Sequence, residues 1–469
     1  MSALQQIDKQ TFLTRNQKLL VAVIIVVACL EFFDIYIIGF VLAYISKPWN
    51  LSFGVSAFIL LGSGVGGIIG APVWGLIGDT YGRKPTLIAT ILMFAVASLC
   101  MAFTPQGNWI YLAVFRFFVG FGVAGVVMGY AYMQEFLPAR MRGFLSSLVA
   151  VFIPGGLLLG AVLSAYLAPV MGWRGLFALG ALPAVMILVV QFGIPESPLW
   201  ALRRGRLAVA RASTAWALQS RLEDVELGAL EPTAIWQRPR FSELFRYPRS
   251  LIASCFGNLG AVTGNYGLIL WAPTLLVLVV GTTPQHASVL MIGVSLIGMF
   301  GRFVCGYFSD IIGRKACAAI CFLVGAVLLL LTGFMTSGTI GTISIFWLML
   351  MLSNFFVDGG FAINGPYPAE MWPSHLRSTG TGVAYGFGGI GKITGPVGLA
   401  LIVGSSNFIT PQAMLPAVVP AFAYLAFWYV LAGLVYGLVG IETKGRTYAE
   451  IDSMLAAGPK VKAVPVPQR

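Results

Sequence analysis

The chain has 469 residues, of which 58% are hydrophobic and 10% charged, against roughly 25% charged in a soluble domain; its mean hydropathy is +0.87. No soluble core can hide that much apolar surface, and the net charge of +12 is divided among short loops instead of forming the basic patch of a nucleic-acid binder. Six cysteines without a C-x-x-C pair and only two histidines, His286 and His375, argue against a zinc or haem site.

The segment from Met1 to Lys18 is polar, and the apolar run after it is too long for a cleaved signal, so it is expected to stay as an anchor. Apolar segments able to cross a hydrocarbon core of roughly 30 Å lie near 18–45, 55–77, 86–104, 110–136, 144–169, 175–194, 251–279, 287–309, 317–336, 342–366, 379–402 and 414–440. Six precede and six follow a polar middle. The expected fold is therefore all-α, with twelve transmembrane helices in two pseudo-symmetric six-helix bundles. The N-terminal bundle takes 1–199, a cytoplasmic central loop 200–250, the C-terminal bundle 251–440 and a cytoplasmic tail 441–469. In the middle, Arg203–Arg206, Arg221–Glu226 and Gln237–Arg240 mix charges with apolar residues at helical spacing, which favours short surface helices. The tail after Ala457 is expected to fray.

With the N-terminus in the cytoplasm, the inner loops hold Lys9, Arg15, Lys18, Arg83, Lys84, Arg140, Arg142, Arg314, Lys315, Arg377, Lys444 and Arg446, whereas the outer loops keep Lys47 and Arg174. Cations gather on the cytoplasmic side of membrane proteins, so both termini are expected there, in a cell inner membrane.

The two halves repeat each other. GLIGDTYGRK (Gly75–Lys84) returns as GYFSDIIGRK (Gly306–Lys315), an offset of 231, and EFLPARMRG (Glu135–Gly143) as EMWPSHLRS (Glu370–Ser378), an offset of 235. Pro195-Glu-Ser-Pro198 after span six is echoed by Ile441-Glu-Thr-Lys444 after span twelve. Asp79, Arg83, Glu135 and Arg142, with Asp310, Arg314, Glu370 and Arg377, thus collect at one end of both halves. Ion pairs between helices and charges on helix ends are their expected use, holding the halves together in one conformation and releasing them in another.

These paired loops, with Glu442–Arg446 (ETKGR), resemble the major facilitator superfamily, nearest to its sugar-porter-like and organic-acid:proton symporter branches. The resemblance implies two bundles rocking around a central site, no enzyme activity, no cofactor beyond the proton as coupling ion, and a small-molecule substrate carried by a monomer embedded in the lipid bilayer. The glycine strings of spans two, four and eleven lie inside apolar segments with no preceding strand, so they are read as close helix contacts and not phosphate loops.

Ionisable residues inside a span cost roughly 2.5 to 3.5 kcal/mol each on insertion scales and mark function. Glu31 and Asp34 lie near the middle of span one, Arg116 in span four, Lys392 near the centre of span eleven, and Arg302 and Asp358 toward the inner ends of spans eight and ten. Asp34 and Arg116 form the expected proton-coupling pair, as an acid in span one and an arginine in span four do in the proton-coupled sugar porters; a static ion pair is the alternative. Glu31, one helical turn from Asp34, is a second proton site or a polar structural contact. Acid symporters of this superfamily carry a D-x-x-D pair in this helix, but Ile37 stands at the second position in this chain.

A lone ammonium such as Lys392 needs an anion, which a substrate carboxylate or a span-one acid can supply. The aromatic-acid symporters carry a similar segment whose arginine aligns with Gly389, one turn before Lys392. Tyr36, Tyr130, Asn258, Asn265, Tyr266, Trp271, Asn354, Phe355 and Asn364 suit an apolar slot with a few directing hydrogen bonds. The resulting expectation is a proton-coupled importer of a small organic acid, a monocarboxylate or aromatic carboxylate. A sugar or polyol symporter, an efflux carrier and a non-transporting nutrient sensor are the alternatives.

Overall fold

The computed structural model describes residues 3–8, 10–225, 241–373, 376–446 and 448–457. Lys9, Gln237–Arg240, His375 and the tail after Ala457 lie outside the described residues. Among the described residues, eleven helices are long and apolar enough to cross a membrane, and a bent pair makes a twelfth. Spans one to five are Arg15–Ile45, Phe53–Tyr81, Arg83–Ala102, Trp109–Gln134 and Ala139–Tyr166. Span six is the pair Ala168–Leu179 and Ala184–Gly193, bent by 40°. Spans seven to twelve are Pro248–Val280, Pro284–Ile312, Arg314–Phe334, Ile345–Glu370, Thr379–Val403 and Pro411–Val439. Between the halves run two short helices, Pro198–Arg203 and Leu207–Leu218.

Local chemistry sets the ends of these helices. Thr14 and Gln17 form a reciprocal capping box at the start of span one, and Ser52 and Thr283 cap spans two and eight through their hydroxyls. The repeated glycines end spans two and eight: Gly82 and Gly313 have φ of 120° and 110°, a region closed to most side chains. The next helix then restarts at Arg83 or Arg314. Spans two and four approach closely, since a Cβ on Gly66 would collide with the Phe117 carbonyl and one on Gly120 with Ser63. Phe192, Leu76 and Leu438 point outward and stay exposed, as lipid-facing residues do.

The end carrying the repeated motifs is the motif end. At the opposite, far end the halves are bonded together: Phe53 N donates to Asn407 O at 2.9 Å, Gly54 N to Ser405 O at 2.9 Å and Ile409 N to Leu51 O at 3.0 Å. The hydroxyls of Ser164 and Ser288 meet at 2.9 Å, and the rings of Phe53 and Trp271 lie 5.4 Å apart. Toward the motif end the packing thins. The Pro154–Tyr166 part of span five and the Gly391–Val403 part of span eleven pack against the opposite half, whereas Ala139–Phe152 and Arg377–Gly389 hardly touch it. The halves are closed at the far end and parted at the motif end.

Candidate functional site

At the motif end, the same cluster is built twice. Arg83 Nη1 pairs with Asp79 at 2.6 Å and its Nε with Glu135 at 3.3 Å; Arg314 pairs with Asp310 at 3.8 Å and with Glu370 at 2.8 Å. Glu196 Oε1 accepts from the backbone N–H of Arg83 and Lys84 at 3.0 and 3.1 Å, and Glu442 accepts from those of Arg314 and Lys315 at 3.0 and 3.3 Å. Each carboxylate therefore satisfies orphan donors and meets the positive end of a helix dipole. Ser197 donates to Glu135 and Thr443 to Glu370, while Tyr132 and Tyr367 donate to the carbonyls of Pro195 and Ile441. Tyr132 and Tyr367 were missed from the sequence, although they stand at the same offset of 235 as Glu135 and Glu370.

Both clusters lie within their own half, so in this conformation, with the motif end parted, they clamp helices inside a bundle. One expectation needs correction. Arg142, expected in the first cluster, instead pairs with Asp8 at 2.6 Å and donates to Leu137 O at 3.0 Å, because its helix start faces the N-terminal segment. Arg377 opens the segment Arg377–Gly389 of span eleven.

In the membrane interior, Glu31, Asp34 and Arg116 are fully buried. The expected contact between the Asp34 carboxylate and Arg116 is not made. Arg116 Nη1 donates to the backbone carbonyl of Asp34 at 2.8 Å, and Nη2 to Ile35 O at 3.0 Å and Ser63 Oγ at 2.9 Å. Its long stem carries the guanidinium to the span-one backbone, past the carboxylate. Asp34 Oδ1 accepts from Ser98 Oγ of span three at 2.6 Å, and Oδ2 has no hydrogen-bond partner. Neither carboxyl oxygen of Glu31 has one. Ser63 and Ser98 gave no signal in the sequence, since serines in apolar helices usually bond their own backbone.

Lys392 lies where spans two, seven and eleven meet. Its Nζ is 5.4 Å from the Tyr266 ring centroid, and that ring lies 6.3 Å from Tyr36; across from it is Gly67, where an added Cβ would come within 3.9 Å of the ammonium. Tyr36, Tyr266 and Asn265 are buried, and Tyr130 is half-buried. Other expected cavity residues hold helices together. Asn258 donates to Ala384 O at 3.0 Å and accepts from Asn364 at 2.9 Å; Asn354 donates to Val294 O at 3.0 Å and Asp358 at 3.3 Å. Trp271 is buried at the far-end closure, donating to Pro396 O at 3.2 Å. Phe355 packs its ring 5.1 Å from Phe356 and 6.0 Å from Phe300. Arg302 forms a buried pair with Asp358 Oδ1, at 2.8 Å from Nη2 and 3.1 Å from Nε.

Comparison with known proteins agrees with this architecture. The profile of the sugar (and other) transporter family matches residues 20–455. The niacin transporter NiaP of Acinetobacter baylyi is 28% identical over 428 residues, covering 89% of this chain and 92% of its own. A putative metabolite transport protein of Haemophilus influenzae is 30% identical over 431 residues, covering 88% and 93%. Among solved structures, the D-xylose-proton symporter superposes with a TM-score of 0.67 at 20% identity, over 92% of this chain and 99% of that one, and so shares the fold. The chain is a multi-pass membrane transporter of a small molecule and not an enzyme, and it belongs to the sugar (and other) transporter family.

Proposed function

We propose that this transporter is a proton-coupled importer of a small organic acid, with an aromatic monocarboxylate as the substrate class, working by alternating access. The observation that carries this reading is Lys392. Its ammonium rests on the face of Tyr266 at the junction of the halves, and it forms no ion pair among the described residues. A π face stabilises a cation partially and leaves it open to an anion. A flat ring bearing a carboxylate offers a charge to Lys392 and a face to Tyr36 and Tyr266. Niacin, for which the Acinetobacter relative is named, is a pyridine carboxylic acid of this shape. A sugar carries no charge to pair with the ammonium.

Asp34 and Glu31 are the proposed proton carriers. A carboxyl oxygen buried without a donor is costly as an anion, which suits a group that loads a proton before it moves. Arg116 holds the span-one backbone beside them. In this reading the motif end and both termini face the cytoplasm, the protein works as a monomer in the inner membrane, and the clusters at Asp79–Arg83 and Asp310–Arg314 set the balance between states. A thermal-shift screen of the purified protein against nicotinate, benzoate, hexoses and amines tests the substrate class. Stabilisation by the aromatic carboxylates alone is expected, and stabilisation by sugars alone contradicts it.

A further inference from the structure

Span five is interrupted by Pro154, so the helix Ala139–Phe152 stops and Pro154–Tyr166 begins. Proline has no N–H, and the carbonyl four residues earlier loses its helical donor. That carbonyl belongs to Ala150. It keeps a long contact with Ile153 N at 3.4 Å and takes a shorter bond of 2.9 Å from Arg302 Nη1 of span eight, in the opposite half. Arg302 is held for this task. Its Nε and Nη2 grip Asp358, Asp358 is bonded by Asn354, and the guanidinium lies 5.7 Å from the centroid of the Phe361 ring.

The bond has a fixed place in the closure. Spans five and eight run antiparallel, and fourteen residues separate Ala150 from Ser164, as fourteen separate Ser288 from Arg302. The serine contact and the arginine contact are therefore in register, about 21 Å apart at 1.5 Å per residue. The arginine contact marks where packing between the halves ends.

We propose that Arg302 is a positioning residue of the transport cycle, a latch that caps the carbonyl freed by Pro154 and thereby favours the arrangement closed at the far end. When the halves rock the other way, span five slides off span eight and the carbonyl loses its charged donor, so this bond adds to the far-end contacts by which the two states differ. Pro154→Ala removes its contribution, because the restored N–H satisfies Ala150 in both states. Arg302→Lys keeps a cation for Asp358 but cannot fork to both acceptors.

The test measures distances in the full-length protein in nanodiscs by electron spin resonance. Labels are carried on non-canonical residues at exposed Arg140 and Tyr307, one in each half near the motif end. In both variants the ratio of motif-end-open to motif-end-closed molecules is expected to fall about tenfold, the effect of one hydrogen bond to a charged group. An unchanged ratio in Pro154→Ala overturns the latch. A fall in Pro154→Ala with none in Arg302→Lys also overturns it, since the kink alone would then be responsible.

Discussion

Arg116 and Lys392 keep cations inside lipid in different ways. Arg116 spreads its charge over two carbonyls and a hydroxyl, and only a planar fork can reach all three. Arg116→Lys is expected to lower uptake at least tenfold while the protein still folds, measured as initial rate per folded transporter. Asp34 has a different task. Asp34→Asn keeps the bond from Ser98 but removes the exchangeable proton, so substrate exchange should persist while accumulation driven by a pH gradient is lost; unaltered accumulation would remove Asp34 from the coupling. The positions of these residues were legible because a charge within an apolar run stands out. Their partners were not. Whether Arg116 meets a carboxylate or the backbone behind it depends on side-chain reach and helix rotation, which span-level hydropathy does not encode. The cavity amides show the same limit: Asn258 and Asn354 look alike in the sequence, yet each is committed to a carbonyl of a neighbouring helix.

Among the helices, the repeat carried more than its motif. Glu196 and Glu442 follow different spans and sit in different tetrapeptides, yet both cap the helix that begins with Arg-Lys. The echo of the two tetrapeptides marked the pair, but the capping contact was not legible, because their offset of 246 differs from the 231 of the helix starts. Losing a cap costs about 1 kcal/mol. Glu442→Gln should therefore raise hydrogen exchange at the Arg314 and Lys315 amides about fivefold and leave those of Arg83 and Lys84 unchanged. Equal exchange at both helix starts would mean that the carboxylate is dispensable. The break of span five at Pro154 was visible as a proline, but the arginine that answers it lies 148 residues away in the other half, a distance at which sequence pattern is silent.

For the whole molecule, twelve spans and their two-fold arrangement followed from hydropathy and repetition, because a membrane admits few other solutions for such a chain. The conformation did not follow. Symmetric motifs describe both states equally, and only the contacts at the far end select one of them. Gly39 lies in that closure: a Cβ there would come within 2.7 Å of the Leu270 carbonyl. Gly39→Val should open the far end and lengthen the distance between labels at Gln106 and Ser337, whereas an unchanged distance would show that span one yields. The chemistry proposed for transport lies where the symmetry fails, at Glu31, Asp34, Arg116 and Lys392. The most direct measurement is uptake of labelled nicotinate into proteoliposomes with an acid exterior, compared between the native protein and Lys392→Gln. Accumulation that requires both the proton gradient and Lys392, exceeding that of protein-free vesicles at least tenfold, is the predicted result; equal accumulation by Lys392→Gln, or none by the native protein while a sugar is accumulated, would contradict it.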